Sequence, residues 1–420
     1  MKKMLANNRF LASFLVWDST ALKPDVALHV AVRQTDKIFD LVIQDGGKLK
    51  KIDDIKTTTA NYPHPSHAMF PGPLTRAMLY DIEETGTIAV ILAVSHAVVD
   101  ASSAQIFRED LDNALGGASL EEHVDFKPYA DSYYNFRTSA EARAAANWHV
   151  KRLEGLESHR KALENPFPVP KGTYEARIAA SGRDLTQHVF QVPGLDDLRR
   201  EHKQIALNVV VKTAFALVQV YRTGHTHALY QNFEASRTSF PFLPRSLESR
   251  GEFGAADVAG PTVQIVINLV EVDRAQTVLA LLNHMQTEQT SLTRHAAAPF
   301  RQIMEGLGPA GCLLPAMVSH QAFNWLPTMG GMMRNPYENM EMVHMDTYPA
   351  AGIGILAGLG GPDSSTVFMQ AMGQMFDECG LREYMTQIEK ITRWLTDRNN
   401  WESPVGGFTT VLEDWEGRAI

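Results

Sequence analysis

The residues whose types and spacing could do chemistry are His96 and Asp100, which stand four positions apart in the chain. A histidine side chain exchanges protons near neutral pH, so it can take a proton from an amine or hydroxyl group that attacks a carbonyl. A pair at this spacing is also compatible with an ordinary core contact or with half of a metal site. The spacing alone favours these two interpretations over a catalytic one.

Two predicted elements position this pair. The run from Thr87 to Val94 is continuous and rich in β-branched residues, which predicts a central strand covered on both faces. From residue 104 to residue 115 the apolar residues recur on one side of a helical pattern, and Ser102 and Ser103 are expected to cap its N-terminus. The histidine is therefore expected between the end of a buried strand and the start of a helix.

The stretch from Ser95 to Ser103 resembles a condensation-domain motif of nonribosomal peptide synthetases. It has the form Ser-His-x-x-x-Asp-x-x-Ser, which is similar to a fungal terminal, often cyclising branch, whereas the family's main form is His-His-x-x-x-Asp-Gly. Further segments similar to family motifs follow in family order: Tyr129 to Tyr133, Trp148 to Gly155, Glu234 to Arg237, Gly260 to Thr262 with the strand Val263 to Val272, His295 to Phe300, and Phe323 to Trp325. The order of these short segments carries the resemblance.

The sequence departs from the family pattern at three points. Ser95 stands at the family's first histidine and Ala101 at its glycine. His96 also lies nearer the start of the chain than the family pattern has it. We therefore expect either a trimmed variant or a chain whose assigned start is too late.

The resemblance implies an α/β fold with two chloramphenicol-acetyltransferase-like sandwich lobes, which form a pseudo-dimer around a central tunnel. Strand and helix patterns alternate in the N-terminal part, and successive prolines from Asn165 to Pro170 interrupt them. We expect an N-terminal lobe of residues 1–164 carrying His96, a linker of residues 165–185, and a C-terminal lobe of residues 186–420. In the second lobe the alternation predicts a strand near 188–192, a helix over 208–222 and a strand around 229–233.

The resemblance also assigns roles to individual residues. His96 is expected to be the catalytic residue, either as a general base or as a group that positions the nucleophile or stabilises the tetrahedral intermediate. Asp100 is expected to support the site by pairing with Arg237, and Ser95 and Ser103 to support it as well. Asn324 and Trp325 are expected to line or brace the substrate cleft, although Trp325 is equally compatible with ordinary core.

Composition excludes several other classes of protein. The net charge of −9 and the lack of a long basic block argue against nucleic acid and anionic membranes as main partners. No run reaches the roughly 18 apolar residues of a membrane span. Two cysteines cannot build a disulfide framework, which favours a reducing compartment, and we expect a soluble, cytoplasmic protein.

Metal and nucleotide sites are not expected from the sequence. The close pairs His64 with His67 and His225 with His227 lack a carboxylate or cysteine set, so no metal is predicted. The glycine cluster at residues 352–358 misses the dinucleotide-binding spacing. The segment from Leu359 to Ser364 resembles a phosphopantetheine attachment site interrupted by a proline, and we interpret it as a loop.

These observations predict a stand-alone condensation enzyme of secondary metabolism. It would form an amide or ester bond, including by cyclisation, from a thioester-bound acyl or peptidyl substrate. We expect a monomer with no bound cofactor, a donor carried on the phosphopantetheine of a separate carrier protein or on coenzyme A, and an amine or hydroxyl acceptor.

Two alternatives stay open at this point. One is a coenzyme-A-dependent O- or N-acyltransferase of the BAHD type, although the Asp-Phe-Gly-Trp-Gly element of that type is absent. The other is a catalytically degenerate docking module, which the departures at Ser95 and Ala101 favour and the presence of His96, Asp100 and Arg237 opposes.

Overall fold

The computed structural model of the chain describes residues 1–17, 27–61, 72–163, 186–235, 258–318, 320–326, 337–343, 352–360, 365–373 and 378–416. By their contacts these residues fall into two compact units. The first contains the described residues within 1–135, 258–263 and 337–343, and the second contains those within 136–235, 264–326 and 352–416.

The first unit combines helices with small sheets. Its helices are α1 (Lys2–Asn7), α2 (Asp36–Val42), α3 (Asp54–Asn61), α4 (Ala101–Leu115) and α5 (Phe126–Phe136). Its strands are β1 (Ser13–Trp17), β2 (Ala27–Ala31), β3 (Ile43–Leu49), β4 (Gly72–Pro73), β5 (Thr75–Ile82), β6 (Thr87–Val94), β7 (Val124–Asp125) and β10 (Val258–Ala259). The strand orders are β2-β1-β4, β3-β5-β6 and β10-β7.

Strand β6 has the predicted bounds but not the predicted surroundings. It pairs with β5 and stands at the edge of the described three-stranded sheet, and Ile88 on it is 67% exposed. Ala89 and Ile91 point the other way and are buried in one cluster with Tyr80. The expectation of a central strand covered on both faces is therefore wrong for the described sheet, because β6 lies at its edge and one face of its first half is exposed.

The second unit contains one large mixed sheet. Its helices are α6 (Ala140–Arg152), α7 (Leu195–Glu201), α8 (Leu207–Thr223), α9 (Val278–Arg294), α10 (Phe300–Gly306), α11 (Pro309–Val318), α12 (Glu378–Thr396) and α13 (Phe408–Glu416). Its strands are β8 (Thr186–Gln191), β9 (His227–Ala235), β11 (Val263–Glu271), β12 (Gln321–Trp325), β13 (Ile353–Leu359) and β14 (Thr366–Gly373). They lie in the order β11-β9-β12-β13-β14-β8, with β12 parallel to both β9 and β13.

Helix α8 is the centre of the second unit's core. It is buried along almost its whole length, and its Phe215 packs against Tyr230, Phe323 and Tyr384. Apolar side chains thus cover the helix on more than one face, and the polar Lys212 lies buried among them. None of the described helices is long and apolar enough to cross a membrane.

The two units differ from the predicted lobes in their grouping of the chain. Residues 136–163 belong to the second unit because α6 packs on its sheet, where Ala145 and Ala146 share a buried cluster with Leu229 and Ile267. The predicted linker of residues 165–185 lies outside the described residues. The division into lobes of residues 1–164 and 186–420 stays a prediction.

Candidate active site

The loop of residues 95–100 connects β6 to α4 and is held by its own backbone. The Ser95 N–H donates to the Leu74 carbonyl at 2.8 Å, and the Val98 N–H donates to the Ser95 carbonyl at 3.0 Å. The Ser95 hydroxyl accepts from the Ala97 N–H at 3.3 Å, and the Val98 side chain is fully buried. Ser95 therefore contributes to holding the loop, and its supporting role at the catalytic site stays a prediction.

His96 is exposed although Ser95 and Val98 on either side of it are buried. Its Nδ1 lies 3.0 Å from the Val99 carbonyl oxygen. Because a carbonyl oxygen only accepts, Nδ1 carries the hydrogen, and Nε2 of the neutral ring keeps its lone pair. The loop thus orients its own histidine and leaves Nε2 as a proton acceptor.

Asp100 is the N-cap of α4. Its Oδ1 accepts from the Ser103 N–H at 2.8 Å and from the Ser103 hydroxyl at 2.9 Å, and the Asp100 N–H donates to the Ser103 oxygen at 2.9 Å. This reciprocal pair is a capping box. The expectation that Ser102 and Ser103 cap a helix starting at residue 104 is corrected: the helix starts at Ala101, because the aspartate supplies the cap and Ser103 is its partner.

The second carboxylate oxygen of Asp100 reaches a distant segment of the first unit. Oδ2 accepts from the Thr262 N–H at 2.8 Å, with the Thr262 hydroxyl at 3.4 Å. The Thr262 carbonyl in turn accepts from the Tyr129 hydroxyl at 3.3 Å. Three of the motif-like segments therefore meet here, and all three of these side chains are buried. Arg237 lies outside the described residues, so its pairing with Asp100 stays a prediction.

Asn324 and Trp325 belong to the second unit, at the end of β12. Asn324 stands opposite Phe233 of β9 and Leu356 of β13, and both predicted cleft residues are half-buried. Trp325 packs against the main core cluster of this unit. The assignment of the two residues to a substrate cleft stays a prediction.

Two further motif-like segments meet within the second unit. The Trp148 and His295 rings stack with centroids 4.5 Å apart, and His149 Nε2 donates to the His295 carbonyl at 3.1 Å. Burial lowers the pKa of His149 to about 4, outweighing the hydrogen bond that opposes this shift. His149 is therefore a neutral donor at pH 7 and not a candidate base.

The sequence gives little sign of the contacts that hold the His96 loop. The Thr262 N–H that binds Asp100 and the Val99 carbonyl that binds His96 are backbone groups, so no pattern of side chains in the sequence indicates them. One usable signal is the glycine at position 260. An added Cβ there would lie 2.4 Å from the Phe126 ring, so a glycine is required where these two segments approach each other closely. Among the residues that the structure describes, no three histidine, cysteine or acidic side chains are grouped so as to hold a metal ion.

Comparisons with known sequences agree on one family. A family model described as Condensation domain matches residues 30–348. The chain is 23% identical over 301 residues to nonribosomal peptide synthetase lenA of Aspergillus lentulus and 28% identical over 236 residues to malformin synthetase mlfA of Aspergillus homomorphus. These alignments cover 67% and 55% of this chain but 6% and 4% of the relatives. The chain therefore spans only a small part of the curated relatives that it matches.

Solved structures share the fold. The starter condensation domain of rhizomide synthetase matches with a TM-score of 0.64 and 11% identity, covering 96% of this chain and 86% of that chain. The first condensation domain of the calcium-dependent antibiotic synthetase matches with a TM-score of 0.62 and 15% identity, covering 96% and 88%. The predicted α/β, chloramphenicol-acetyltransferase-like fold class is confirmed by these matches.

Proposed function

The chain belongs to the condensation-domain family, whose members are acyltransferase-type enzymes, and from that premise we propose what this member joins and how. It transfers a thioester-bound acyl or peptidyl group to an amine or hydroxyl acceptor, with His96 as the catalytic residue. The observation that carries the proposal is the hydrogen bond from His96 Nδ1 to Val99, which leaves Nε2 of an exposed ring free to accept a proton.

The proposed reaction balances with these groups alone. The acceptor nitrogen or oxygen attacks the thioester carbonyl carbon, and His96 Nε2 takes the proton that the acceptor loses. The carbon–sulfur bond then breaks, and the imidazolium returns the proton to the leaving thiolate. The products are an amide or ester and a free thiol.

The donor is proposed to be a thioester on the phosphopantetheine of a separate carrier protein. Similarity to segments of fungal peptide synthetases supports this choice. The alternative donor is coenzyme A, and one comparison favours it: the rhizomide starter domain is described in complex with C8-CoA. Both donors present a thioester on the same kind of arm, so the site chemistry at His96 is the same for either.

The acceptor is proposed to lie within the donor chain itself, so that the product is a ring. This finer proposal rests on the resemblance of Ser95-His96-x-x-x-Asp100-x-x-Ser103 to the cyclising branch. A peptidyl thioester with a free amino end tests it directly. A cyclic product supports cyclisation, and a product formed only with an added amine contradicts it.

The test of the main proposal compares one acyl group on a carrier protein, on coenzyme A and on a small free thioester, with products followed by mass spectrometry. We expect the carrier-bound donor to have the highest specificity constant and the His96→Ala variant to be inactive with every donor. Equal specificity constants for the carrier and coenzyme A would contradict the carrier proposal. No turnover with any donor would favour a docking module.

A further inference from the structure

Residues 124–129 and residues 258–262 of the first unit are far apart in sequence but contact each other at successive positions. These contacts lead to Thr262, which binds Asp100. Strand β7 pairs in parallel with β10, with Val124 opposite Val258. Two residues further along, Gly260 lies against the Phe126 ring, where any larger residue would clash. At the next turn of α5, the Tyr129 hydroxyl donates to the Thr262 carbonyl at 3.3 Å.

Thr262 is therefore fixed from both sides. Its carbonyl is bound by Tyr129, and its N–H is bound by Asp100 Oδ2 at 2.8 Å. Thr262 has no exposed surface, and Tyr129 is only 4% exposed. With both flanking peptides bound and the side chain enclosed, the direction in which the Thr262 N–H points is determined by the tyrosine as well as by the aspartate.

Asp100 passes this constraint to the His96 ring through one peptide plane. The Asp100 N–H donates to Ser103, and the Val99 carbonyl of the same peptide accepts from His96 Nδ1. Because a peptide unit is rigid and planar, the orientation of its N–H fixes the orientation of its carbonyl. The Asp100 carboxylate, held by Thr262, also binds the Ser103 hydroxyl at 2.9 Å, and that hydroxyl binds the peptide whose carbonyl orients the imidazole.

We propose that Tyr129 is a positioning residue for His96, acting through the Thr262 peptide and the Asp100 carboxylate. The inference rests on the proposed function in its catalytic part, since it assumes that His96 does the chemistry. Tyr129 is buried, and its hydroxyl donates to the Thr262 carbonyl. Its hydroxyl should therefore affect the rate of the chemical step and leave donor binding alone.

The experiment compares Tyr129→Phe with wild type and with Tyr230→Phe as a matched control. Tyr230 is also fully buried, lies in the second unit, and its hydroxyl has no hydrogen-bond partner among the described residues. We expect Tyr129→Phe to lower kcat about 2- to 12-fold, the range for one buried hydrogen bond, with KM for the donor unchanged. Tyr230→Phe should keep the wild-type kcat.

Amide hydrogen exchange of the same variants gives a second measurement that does not need turnover. Tyr129→Phe should exchange faster than wild type over residues 95–103 and 258–263, and Tyr230→Phe should not. An unchanged kcat in Tyr129→Phe overturns the positioning role while the proposed function stands. If wild type turns over no donor, the proposed function fails, and the exchange decides the positioning role: unchanged protection of residues 95–103 overturns it.

Discussion

Among the described residues, the buried polar cluster around Asp100 in the first unit and the one around Lys212 in the second are built from different bonds. Asp100 binds backbone N–H groups and hydroxyls of Ser103 and Thr262. Lys212 donates instead to the Gln289 amide oxygen, and the Gln289 nitrogen donates to Glu234 Oε1 at 2.8 Å. A neutral amide thus bridges a buried cation and a carboxylate.

The two clusters differ in the role of their charged group. Asp100 sits at a helix N-terminus, where free N–H groups and the helix dipole favour a carboxylate, so its charge serves to fix a loop. Lys212 lies inside the apolar helix α8, where burial lowers its pKa to about 7 despite the nearby Glu234 and Glu288, and Arg152 adds to the lowering. The first cluster sets the geometry of a candidate site, whereas the second places a proton-binding group inside a core.

The largest expected effect tests whether the Asp100 cluster serves chemistry. His96→Ala removes the ring whose Nε2 is proposed to take the acceptor's proton, and general acid–base assistance is typically worth about 10²–10⁴ in rate. We expect turnover to fall by that factor and the melting temperature to stay at the wild-type value, because His96 is exposed. A folded His96→Ala variant with wild-type turnover would remove His96 from the mechanism.

The next effect tests whether Asp100 holds structure rather than protons. Asp100→Ala leaves the buried N–H groups of Ser103 and Thr262 without their acceptor, and each such loss costs about 1–3 kcal/mol. We expect the free energy of unfolding to fall by about 2–6 kcal/mol, measured by urea denaturation. His96→Ala is the matched control four residues away. Equal stability of the two variants would contradict the supporting role of Asp100.

The same comparison explains which parts of the structure the sequence can predict. The strand at residues 87–94 is confirmed, and the predicted helix over 208–222 is observed as α8, Leu207–Thr223. Both rest on local patterns of apolar residues. The predicted start of α4 is three residues late because an aspartate and a serine are both good caps, and only the folded chain decides between them.

The long-range hydrogen bonds at the candidate site are not indicated by any local pattern in the sequence. Thr262 is 162 residues away from Asp100 and contributes its backbone N–H, so no spacing of side chains in the sequence indicates this contact. Lys212 falls within a helix predicted from its apolar residues, and its partner Gln289 is 77 residues away. Single-sequence periodicity reports which face of an element is buried, but not which distant polar group it meets there.

The Lys212 cluster is tested by the pH dependence of stability. Lys212 has a pKa of about 7 in the folded chain and 10.5 as the ordinary value, so the unfolded state binds more protons between these limits. Stability should therefore rise with pH from about 7, with a slope of at most about 1.4 kcal/mol per pH unit for one proton. Lys212→Met should flatten this rise.

Urea denaturation at several pH values from about 7 to about 9.5 measures the slope that the lysine contributes. Lys203→Met, at an exposed position before α8, controls for the loss of one positive charge. We expect the control to keep the wild-type slope. If Lys212→Met and Lys203→Met give the same slope, the buried lysine does not titrate in the folded chain as the structure indicates.

The smallest expected effect concerns His149, which like Lys212 is a buried titratable side chain of the second unit. Its Nε2 donates to the His295 carbonyl, and its Nδ1 is buried with no hydrogen-bond partner among the described residues, so protonation would place a charge where nothing accepts the new hydrogen. Burial lowers the pKa of His149 from 6.5 to about 4. The unfolded state therefore binds more protons in this window, and stability should fall as the pH drops from about 6.5 towards 4.

His149→Gln keeps a donor for the His295 carbonyl but cannot titrate, so it should lose less stability than wild type between about pH 6.5 and pH 4.5. His284→Gln, at an exposed position on α9, is the control and should keep the wild-type dependence. The effect should be smaller than that of Lys212, because the interval from 6.5 to about 4 is narrower than that from 10.5 to about 7. If the free energy of unfolding falls equally with decreasing pH in wild type and His149→Gln, His149 does not contribute to the pH dependence of stability. Of the two buried groups, only Lys212 with its amide bridge would then contribute.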